Sequence, residues 1–517
     1  MSSFNQKNEL YNNLNSICDN LRKTMDASEY RNYILGFIFY KYLSEKLEKE
    51  ADKILKADNV KYTDLSPDGE NEQVSIYNAV KDELLNKFNY IINKDNLFST
   101  WVAKAKNNED ILSLVEESLR SLSNTNFKDG KEKYFKGLFN DINFNSSKLG
   151  QSEKAKNKTV SDIILRLSNI SFDYDDAKID ILGDAYEHLI ANFASEAGKK
   201  AGEFYTPQEV SELLAKIVTL NKTKISSAYD PTCGSGSLLL QVSKLAVVDK
   251  LYGQEVKDTT YNLARMNMFL RGIKTSDFEI ANDDTIMNPA FRGRKFEAIV
   301  ANPPFSLVWE PDETMLSDER FSDYGKLAPK GKMDYAFIQH MLYSLDTNGV
   351  MATVVPHGVL FRGASEATIR SYIVEKMNWL DAVIGLPENI FYGTSIPSCI
   401  MVFKKNRTKN DKILFIEASR EFVKGKNQNK LSEENISKII DSYKDRKEIN
   451  KYSKLVSLDE IVKNDCNLNI TRYVDTFDDD ENIDIVSLSK ELSEINSKIA
   501  EGEKEIEAMI SELIETK

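Results

Sequence analysis

The chain has 517 residues, 41% of them hydrophobic and 29% charged, with a formal net charge of −13. This length exceeds what one hydrophobic core usually supports, so we expect two or three domains of ordinary globular composition. Duplex DNA is bound through Lys and Arg, so a chain this acidic would need a local basic face or a second protein to hold it.

Membrane, metal and disulfide-stapled classes are disfavoured by the residues themselves. The first residues, MSSFNQKNEL, are polar, and no run of about 18 apolar residues occurs, so neither a secretory signal nor a membrane span is expected. The four cysteines form no CxxC pair and only three histidines occur, which predicts no metal site, no disulfide framework and no Ser-His-Asp triad. We expect a cytoplasmic protein.

Residues 1–170 are predicted to form a helical domain. Apolar residues recur at helical spacing in ILGFIFYKYLSEKLEKEADKIL, NAVKDELLNKFNYII and DILSLVEESLRSL. The segment DNVKYTDLSPDGENEQVS, with its Pro, Gly and Asn residues, is predicted to be a loop. No chemical motif occurs here, which indicates a packing or docking domain.

Residues 171–475 are predicted to form an α/β domain. A helix should begin near GEFYTPQEV, with Thr206 as its N-cap, Pro207 at its first position and Glu209 completing a capping box. Predicted strands and helices then alternate, which favours a parallel, doubly wound sheet with helices on both faces. The segments LDAVIGLP and SCIMVFKK are predicted to be a final, antiparallel pair.

The segment AYDPTCGSGSLLL, residues 228–240, joins a predicted strand to a predicted helix. Gly234 and Gly236 let the backbone approach a ligand, and free N–H groups at the helix start favour a carboxylate or phosphate. Asp230 at the strand end would repel a pyrophosphate but can pair with an ammonium, and no P-loop motif is present. This pattern disfavours NAD and excludes a P-loop nucleotide site.

Glu255 ends the next predicted strand, where an acid suits ribose hydroxyls. A ligand that combines a ribose, an ammonium and a carboxylate is S-adenosylmethionine, which is therefore the predicted cofactor. The alternative is that Glu255 is a solvated strand-end acid.

The segment ANPPFS, residues 301–306, follows the apolar run FEAIV. Its two prolines end the strand and stiffen the loop, because both lack an N–H and lock φ. The carbonyls of the Asn302 side chain and of Pro303 can accept the two protons of an exocyclic amine, while Phe305 can stack on the ring. Such an amine is hidden in a base pair, so the base must be flipped out. Adenine N6 and cytosine N4 both fit, and the alternative is a simple strand-ending turn.

Residues 476–517 carry a heptad seam that predicts an amphipathic C-terminal helix. Its apolar positions are Leu488, Leu492, Ile495, Ile499, Ile506, Met509 and Leu513, with Gly502 as an interruption. The stripe is buried either on its own chain or, as we favour, on a partner helix.

Taken together, DPTCGSGSLL and ANPPFS resemble the S-adenosylmethionine-dependent amino-methyltransferases of DNA. The GEFYTP element at residues 202–207, the helical N-terminal block and the heptad tail make the chain similar to the modification subunits of type I restriction–modification systems. The resemblance implies a Rossmann-like methyltransferase domain that acts on the N6 amine of adenine.

The resemblance also implies roles for individual residues. The cofactor's methionine end lies against Glu203, Phe204, Tyr205, Thr206, Pro207 and Gln208. The glycine loop contributes Asp230, Thr232, Gly234, Ser235, Gly236 and Ser237, and Cys233 replaces a Gly or Ala of many relatives as a packing residue. Glu255 takes the ribose and Asp284 the adenine, with Asp283 as its competitor. The catalytic grip consists of Asn302, Pro303, Pro304 and Phe305.

Phe391 is a candidate for stacking on the other face of the flipped base, with packing under the last strands as the alternative. Members of this family take their DNA site from a separate specificity subunit flanked by two modification subunits, and a restriction subunit joins them. The resemblance implies the same partners and double-stranded DNA here, with the heptad tail docking on the specificity subunit.

Other functions remain as alternatives. A stand-alone DNA adenine-N6 or cytosine-N4 methyltransferase would need its own recognition domain, for which residues 405–475 are too short and polar. A protein-glutamine methyltransferase uses the same Asn-Pro-Pro grip, and a scaffold would keep the fold without the chemistry. An NAD oxidoreductase would leave ANPPFS unexplained.

Overall fold

The computed structural model of the protein describes residues 11–12, 14–16, 27–68, 71–123, 135–170, 179–196, 205–425, 428–476 and 485–515. The helices are α1 Ala27–Ile54, α2 Asn71–Phe88, α3 Phe98–Lys106, α4 Leu112–Ser123, α5 Glu153–Ser168, α6 Ile179–Glu196, α7 Gln208–Val218, α8 Ser237–Leu245, α9 Asp258–Leu270, α10 Asp334–Ser344, α11 Ala364–Ser371, α12 Glu433–Asp445, α13 Leu458–Lys463 and α14 Ile485–Glu515. The strands are β1 Lys224–Asp230, β2 Val247–Glu255, β3 Phe278–Asn282, β4 Phe296–Ala301, β5 Leu345–Pro356, β6 Leu380–Gly385, β7 Ser398–Lys404, β8 Ile413–Glu417, β9 Val423–Lys424, β10 Asn429–Lys430 and β11 Ser453–Val456.

The helices before residue 170 pack into one block, as their apolar spacing predicts. Within it, Tyr40 of α1 stacks on Trp101 of α3 with ring centroids 4.4 Å apart. The same hydrophobic core extends into α9, where it includes Leu263, Met266 and Leu270. The helical block therefore packs directly on the α/β half of the chain.

A nine-stranded sheet occupies the centre of the α/β half, in the order β11–β8–β6–β7–β5–β4–β1–β2–β3. From β3 to β5 all neighbours are parallel. The chain runs outwards from β1 to β3 and then returns to β4 on the other side of β1. Because ligands of such sheets bind where the strand order reverses, the crevice beyond the carboxyl ends of β1 and β4 is the expected site.

Two parts of the sheet differ from the prediction. The antiparallel pairing of β6 with β7 is confirmed, but this pair does not end the sheet, since β8 pairs in parallel with β6 and β11 pairs with β8. The strand β3, with the sequence FEIAN, was not predicted because five residues without clear alternation carry little signal. The strand nevertheless contributes to the core, because its first residue, Phe278, is buried there.

The C-terminal helix α14 forms as the heptads predict and continues through Gly502. Its seam residues with described side chains are between 49% and 61% exposed, namely Leu488, Leu492, Ile495, Ile499 and Ile506. Packing of this part of the stripe on its own chain is therefore wrong, because these side chains face solvent. None of the helices within the described ranges is long and apolar enough to cross a membrane.

Candidate active site

The turn after β1 places its backbone in the crevice between β1 and β4. Gly234 and Gly236 have φ values of 54° and 79°, a left-handed conformation that favours glycine. The Gly236 N–H donates to the Cys233 carbonyl over 2.7 Å, and the Cys233 N–H donates to the carbonyl of Gln254 in β2 over 2.9 Å. The turn is thus tight and tied to the neighbouring strand, with α8 beginning at Ser237.

Asp230, the last residue of β1, is completely buried. Its Oδ1 accepts the Thr232 N–H over 2.9 Å, while its Oδ2 is buried and has no hydrogen-bond partner among the described residues. Burial, reinforced by the nearby Glu255 carboxylate, raises the pKa of Asp230 to about 8. A buried carboxylate with one free oxygen is a site for a cation, because a positive ligand would offset the cost of its charge.

Glu255 lies beside Asp230 at the end of β2. Its Oε2 accepts the Gly234 N–H over 3.1 Å and its Oε1 accepts the Lys257 N–H over 2.9 Å. Burial raises the pKa of Glu255, although these backbone N–H groups favour its charged form. Both predicted acids therefore accept hydrogen bonds from the turn after β1. Each Glu255 oxygen keeps a lone pair that can accept from a hydroxyl.

The loop after β3 carries the two acids considered for the adenine. Asp284 Oδ1 accepts the N–H groups of Ile286 and Met287 over 2.8 and 2.9 Å. Asp283 is exposed and its Oδ1 accepts the Asp284 N–H over 2.7 Å. Thr285 Oγ1 donates to the carbonyl of Pro231, which ties this loop to the turn after β1. Asp284 is half-buried, and its role at the adenine stays a prediction.

Asn302 follows β4 directly, so it lies next to the end of β1. Its Nδ2 donates to Thr206 Oγ1 over 3.1 Å, and its Oδ1 is buried without a hydrogen-bond partner among the described residues. The predicted Thr206 N-cap is wrong, because α7 is preceded by Pro207 and no side chain caps it. Thr206 instead holds the Asn302 amide, and the free acceptor is what an amine grip requires.

Phe305 and Phe391 meet edge-on, with centroids 5.7 Å apart and planes at 80°. Phe305 is half-buried, whereas Phe391 is only 4% exposed. This contact and the low exposure agree with the packing alternative for Phe391. Stacking of Phe391 on the far face of a base stays a prediction.

The end of the ANPPFS loop is fixed by a buried carboxylate. Ser306 has a φ of 50°, and its N–H donates to Asp334 Oδ1 over 2.8 Å. Arg362 donates to Asp334 Oδ2 over 3.1 Å and to Glu366 over 2.9 Å. Asp334, at the start of α10, therefore holds the end of the ANPPFS loop in place.

The remaining predicted residues are distributed as follows. Glu203 and Phe204 lie outside the described residues. Tyr205 is 6% exposed with its ring 5.9 Å from that of Tyr392, and Gln208 is exposed. Ser235 and Ser237 are buried in the glycine turn, and the Thr232 hydroxyl there has no partner within the described chain. Pro303 is buried and Pro304 is half-buried.

Several supporting residues escaped the sequence analysis. Gln254, completely buried, donates to the Asp283 and Asn288 carbonyls and accepts the Ala290 N–H. Asn267 Nδ2 donates to the Ser235 carbonyl over 3.1 Å. Neither residue lies in a motif. For Asn267 the sequence does offer a signal, because a polar residue in a helical segment as buried as RMNMFL is expected to have a specific hydrogen-bond partner.

Cysteine and metal chemistry find no support within the described residues. Cys233, Cys399 and Cys466 are free and buried, and burial raises the pKa of the Cys233 thiol, which agrees with a packing role. No group of metal-ligating side chains was found in the described ranges.

Comparison with known proteins places this geometry in a family. Residues 177–482 match the family model described as N-6 DNA Methylase, and residues 10–167 match that of the HsdM N-terminal domain. The chain is 38% identical to the methylase subunit of the type I restriction enzyme MpnII of Mycoplasma pneumoniae, over 99% of this chain and 96% of that protein. It is 32% identical to the MjaVIII methylase subunit of Methanocaldococcus jannaschii, over 93% and 81%.

A solved structure agrees with these relatives. The methyltransferase subunit of a type I restriction-modification system from Streptococcus thermophilus superposes with a TM-score of 0.82 at 40% identity. The match covers 91% of this chain and all of that one.

Proposed function

The chain belongs to the methylase subunits of type I restriction–modification systems and to the N-6 DNA methylase family, and on that premise we propose how its residues divide the work of adenine methylation. S-adenosylmethionine binds beyond the carboxyl ends of β1 to β3, and the target amine is held beyond β4. The observation that carries this proposal is the buried Asn302 Oδ1, which has no hydrogen-bond partner among the described residues and lies where the strand order reverses.

S-adenosylmethionine, when bound, supplies an electrophilic methyl group. Asp230 Oδ2, which has no partner among the described residues, would bind its ammonium, and the remaining lone pairs of Glu255 would accept from the ribose hydroxyls. Asp284 would bind the adenine, and the turn from Thr232 to Ser237 would contribute its backbone to the cofactor site. These residues fit the cofactor because Asp230 Oδ2 and Asn302 Oδ1 are buried acceptors without partners among the described residues. Such acceptors suit a bound pair of molecules that brings hydrogen-bond donors and a positive charge.

The base is held by the loop after β4. Asn302 Oδ1 and the Pro303 carbonyl accept the two protons of the N6 amine, and Phe305 stacks on the flipped ring, supported at its edge by Phe391. Two acceptors draw the nitrogen lone pair out of conjugation with the ring and aim it. Positioning and electrostatic complementarity are therefore the main contributions of the protein.

Assembly is the third part of the proposal. The specificity subunit selects the DNA site, a second copy of this chain and the restriction subunit complete the complex, and the exposed stripe of α14 docks on helices of the specificity subunit. The net charge of −13 supports delegation of duplex recognition. Under this proposal residues 1–170, 171–475 and 476–517 are the helical, methyltransferase and docking parts.

The test is transfer of a tritiated methyl group from S-adenosylmethionine to DNA, measured for the chain alone and after co-expression with the specificity subunit of its operon. We expect N6-methyladenine in the product, and only with the complex. Transfer by the lone chain would favour the stand-alone methyltransferase, and N4-methylcytosine in the digested product would overturn the assignment of the base.

A further inference from the structure

A buried arginine outside the predicted motifs contacts the loop after β3. This loop, Asp283–Asn288, carries the proposed adenine acid and is therefore named the cofactor loop. Arg320 lies on the segment between the ANPPFS loop and α10 and is 3% exposed. Its Nη1 donates to the Thr285 carbonyl over 3.2 Å and its Nη2 to the Ile286 carbonyl over 2.7 Å. These carbonyls follow Asp284 directly, so one guanidinium group holds the part of the loop beside the proposed adenine acid.

Two further partners orient this guanidinium. Asp318 accepts from its Nε over 3.1 Å and from its Nη2 over 3.0 Å. His340, 3% exposed, lies 3.2 Å from Nη1 through its Nδ1. The bidentate contact with Asp318 and the contact with His340 leave the guanidinium little rotational freedom. A planar group must be fixed in this way if it is to donate to two carbonyls at once.

His340 extends this hydrogen-bond network to β1, the strand that ends in Asp230. Burial and the adjacent Arg320 lower the pKa of His340 to about 3, so its ring is neutral. Arginine has no acceptor, hence Nδ1 must accept from Arg320 and Nε2 must carry the proton. Nε2 lies 3.0 Å from the Tyr229 hydroxyl, and Tyr229 precedes Asp230 in β1.

We propose that Arg320 is a positioning residue for the cofactor, which keeps the Asp283–Asn288 loop in register with the end of β1. This inference rests on the proposed binding of S-adenosylmethionine and adds a residue that does not touch it. Its direct partners are Thr285 and Ile286 in the cofactor loop, whereas the catalytic loop is held separately by Asp334. Loss of Arg320 should therefore weaken cofactor binding and leave the amine grip intact.

The experiment compares Arg320→Gln, Arg320→Lys and a matched control in the full complex. The control is Arg292→Gln, because Arg292 also pairs with Asp318, over 3.4 Å, but is 55% exposed, whereas the carbonyls of Thr285 and Ile286 accept from Arg320. The readouts are the dissociation constant for S-adenosylmethionine by calorimetry, KM for the cofactor and for DNA, and kcat.

For Arg320→Gln we expect at least about a tenfold rise in the dissociation constant and in KM for the cofactor, since two charge-assisted hydrogen bonds are lost. The value of kcat at saturating cofactor should stay within about threefold, and Arg292→Gln should match the wild type. Arg320→Lys should lie between them, because an ammonium cannot serve both carbonyls.

Unchanged cofactor affinity in a folded Arg320→Gln protein would overturn the inference, and so would a fall confined to kcat or to DNA affinity. If that variant fails to fold, the decision falls to the pair His340→Asn, which keeps an acceptor near Nδ1, and His340→Leu, which removes it. Weaker cofactor binding in the leucine variant alone supports the inference, and equal binding in both overturns it. A wild type that binds no S-adenosylmethionine would instead overturn the proposed function.

Discussion

The Asn302 side-chain amide donates from Nδ2 to the Thr206 hydroxyl over 3.1 Å, across 96 residues of chain, and thereby keeps its Oδ1 free. That oxygen is buried and has no partner among the described residues. A buried carbonyl without a partner costs free energy in the absence of substrate. Under the proposed function, the target amine would supply the missing donor and offset this cost.

We expect Asn302→Ala to lower kcat by about 100- to 1,000-fold or more, since a preorganised polar contact with the reacting group is removed. Binding of S-adenosylmethionine, measured by calorimetry, should remain nearly normal, because Asp230 and Glu255 are untouched. Asn302→Asp keeps a side-chain oxygen that can accept a proton of the amine. This variant is the control and should retain a larger residual rate than the alanine variant. Transfer by the alanine variant at a near-normal rate would rule out the proposed role.

Thr206→Val should lower kcat about three- to tenfold, the effect of one lost hydrogen bond. The valine has nearly the same shape but cannot accept from Asn302 Nδ2, so the amide loses its fixed orientation. Thr206→Ser, which keeps the hydroxyl, should be close to the wild type. A rise in KM for the cofactor with kcat unchanged would show that Thr206 acts on the cofactor and not through Asn302.

The affinity for S-adenosylmethionine should increase with pH up to about 8. Asp230 has its pKa raised to about 8 by burial, so below this pH the free protein must lose a proton before it can pair with a cation. The slope should approach, and not exceed, about tenfold per pH unit. Calorimetry between about pH 6 and pH 9 measures it.

Asp230→Asn is the control, because the ligand's own ammonium titrates equally in both proteins. The variant should bind more weakly at high pH and lose most of the slope. The sign for stability is opposite: the folded carboxyl holds a proton that the unfolded one releases above 3.8, so the ligand-free wild type should lose stability as pH rises towards 8. Parallel pH profiles in wild type and variant would contradict both expectations.

Asp334→Asn should reduce kcat about tenfold, since the Ser306 N–H loses a charged acceptor and Arg362 loses a partner. Melting temperature should fall only modestly, because Glu366 still pairs with Arg362. Glu366→Gln weakens the same arginine without touching Ser306 and is the matched comparison. Equal losses of kcat in the two variants would place the effect on Arg362 and not on the catalytic loop.

Removal of residues 485–517 should weaken co-purification with the specificity subunit, because the exposed stripe of α14 would be lost. Leu492→Glu combined with Ile499→Glu should have the same effect without shortening the chain. Ser497→Glu, on the outer face of the heptads, should assemble normally. Full recovery of the complex with the truncated chain would exclude this helix as the docking element.

Local pattern alone was enough for much of the molecule. The helical N-terminal block, the alternation of helices with β1, β2, β4 and β5, the antiparallel β6 and β7, and the long C-terminal helix all follow from periodicity, whereas β3 does not. Asp230, Glu255 and Asn302 were also predicted from sequence, because each ends a recognisable strand and because such ends meet at one edge of a parallel sheet.

Contacts between segments far apart in the chain could not be predicted from local pattern. Thr206 was predicted to cap a helix and instead holds Asn302, since a hydroxyl has several local partners and the tertiary fold chooses one. The edge-on contact of Phe391 with Phe305, across 86 residues of chain, could not be predicted from the sequence either, and the stacking of Phe391 on a base stays a prediction. Arg320 and His340 lie in no motif, because their contacts are with carbonyls of the loop after β3 and with a hydroxyl of β1.

Periodicity and short motifs are local properties, so they were enough to predict the class of fold, the family and the strand ends proposed to carry the chemistry. Long-range packing was needed to show which side chains fix those strand ends, which buried acceptors have no partner among the described residues, and that the stripe of α14 faces solvent. The reason is that hydrogen-bond partners and burial arise from chain segments far apart in sequence, whose meeting is set by the packing of the whole domain.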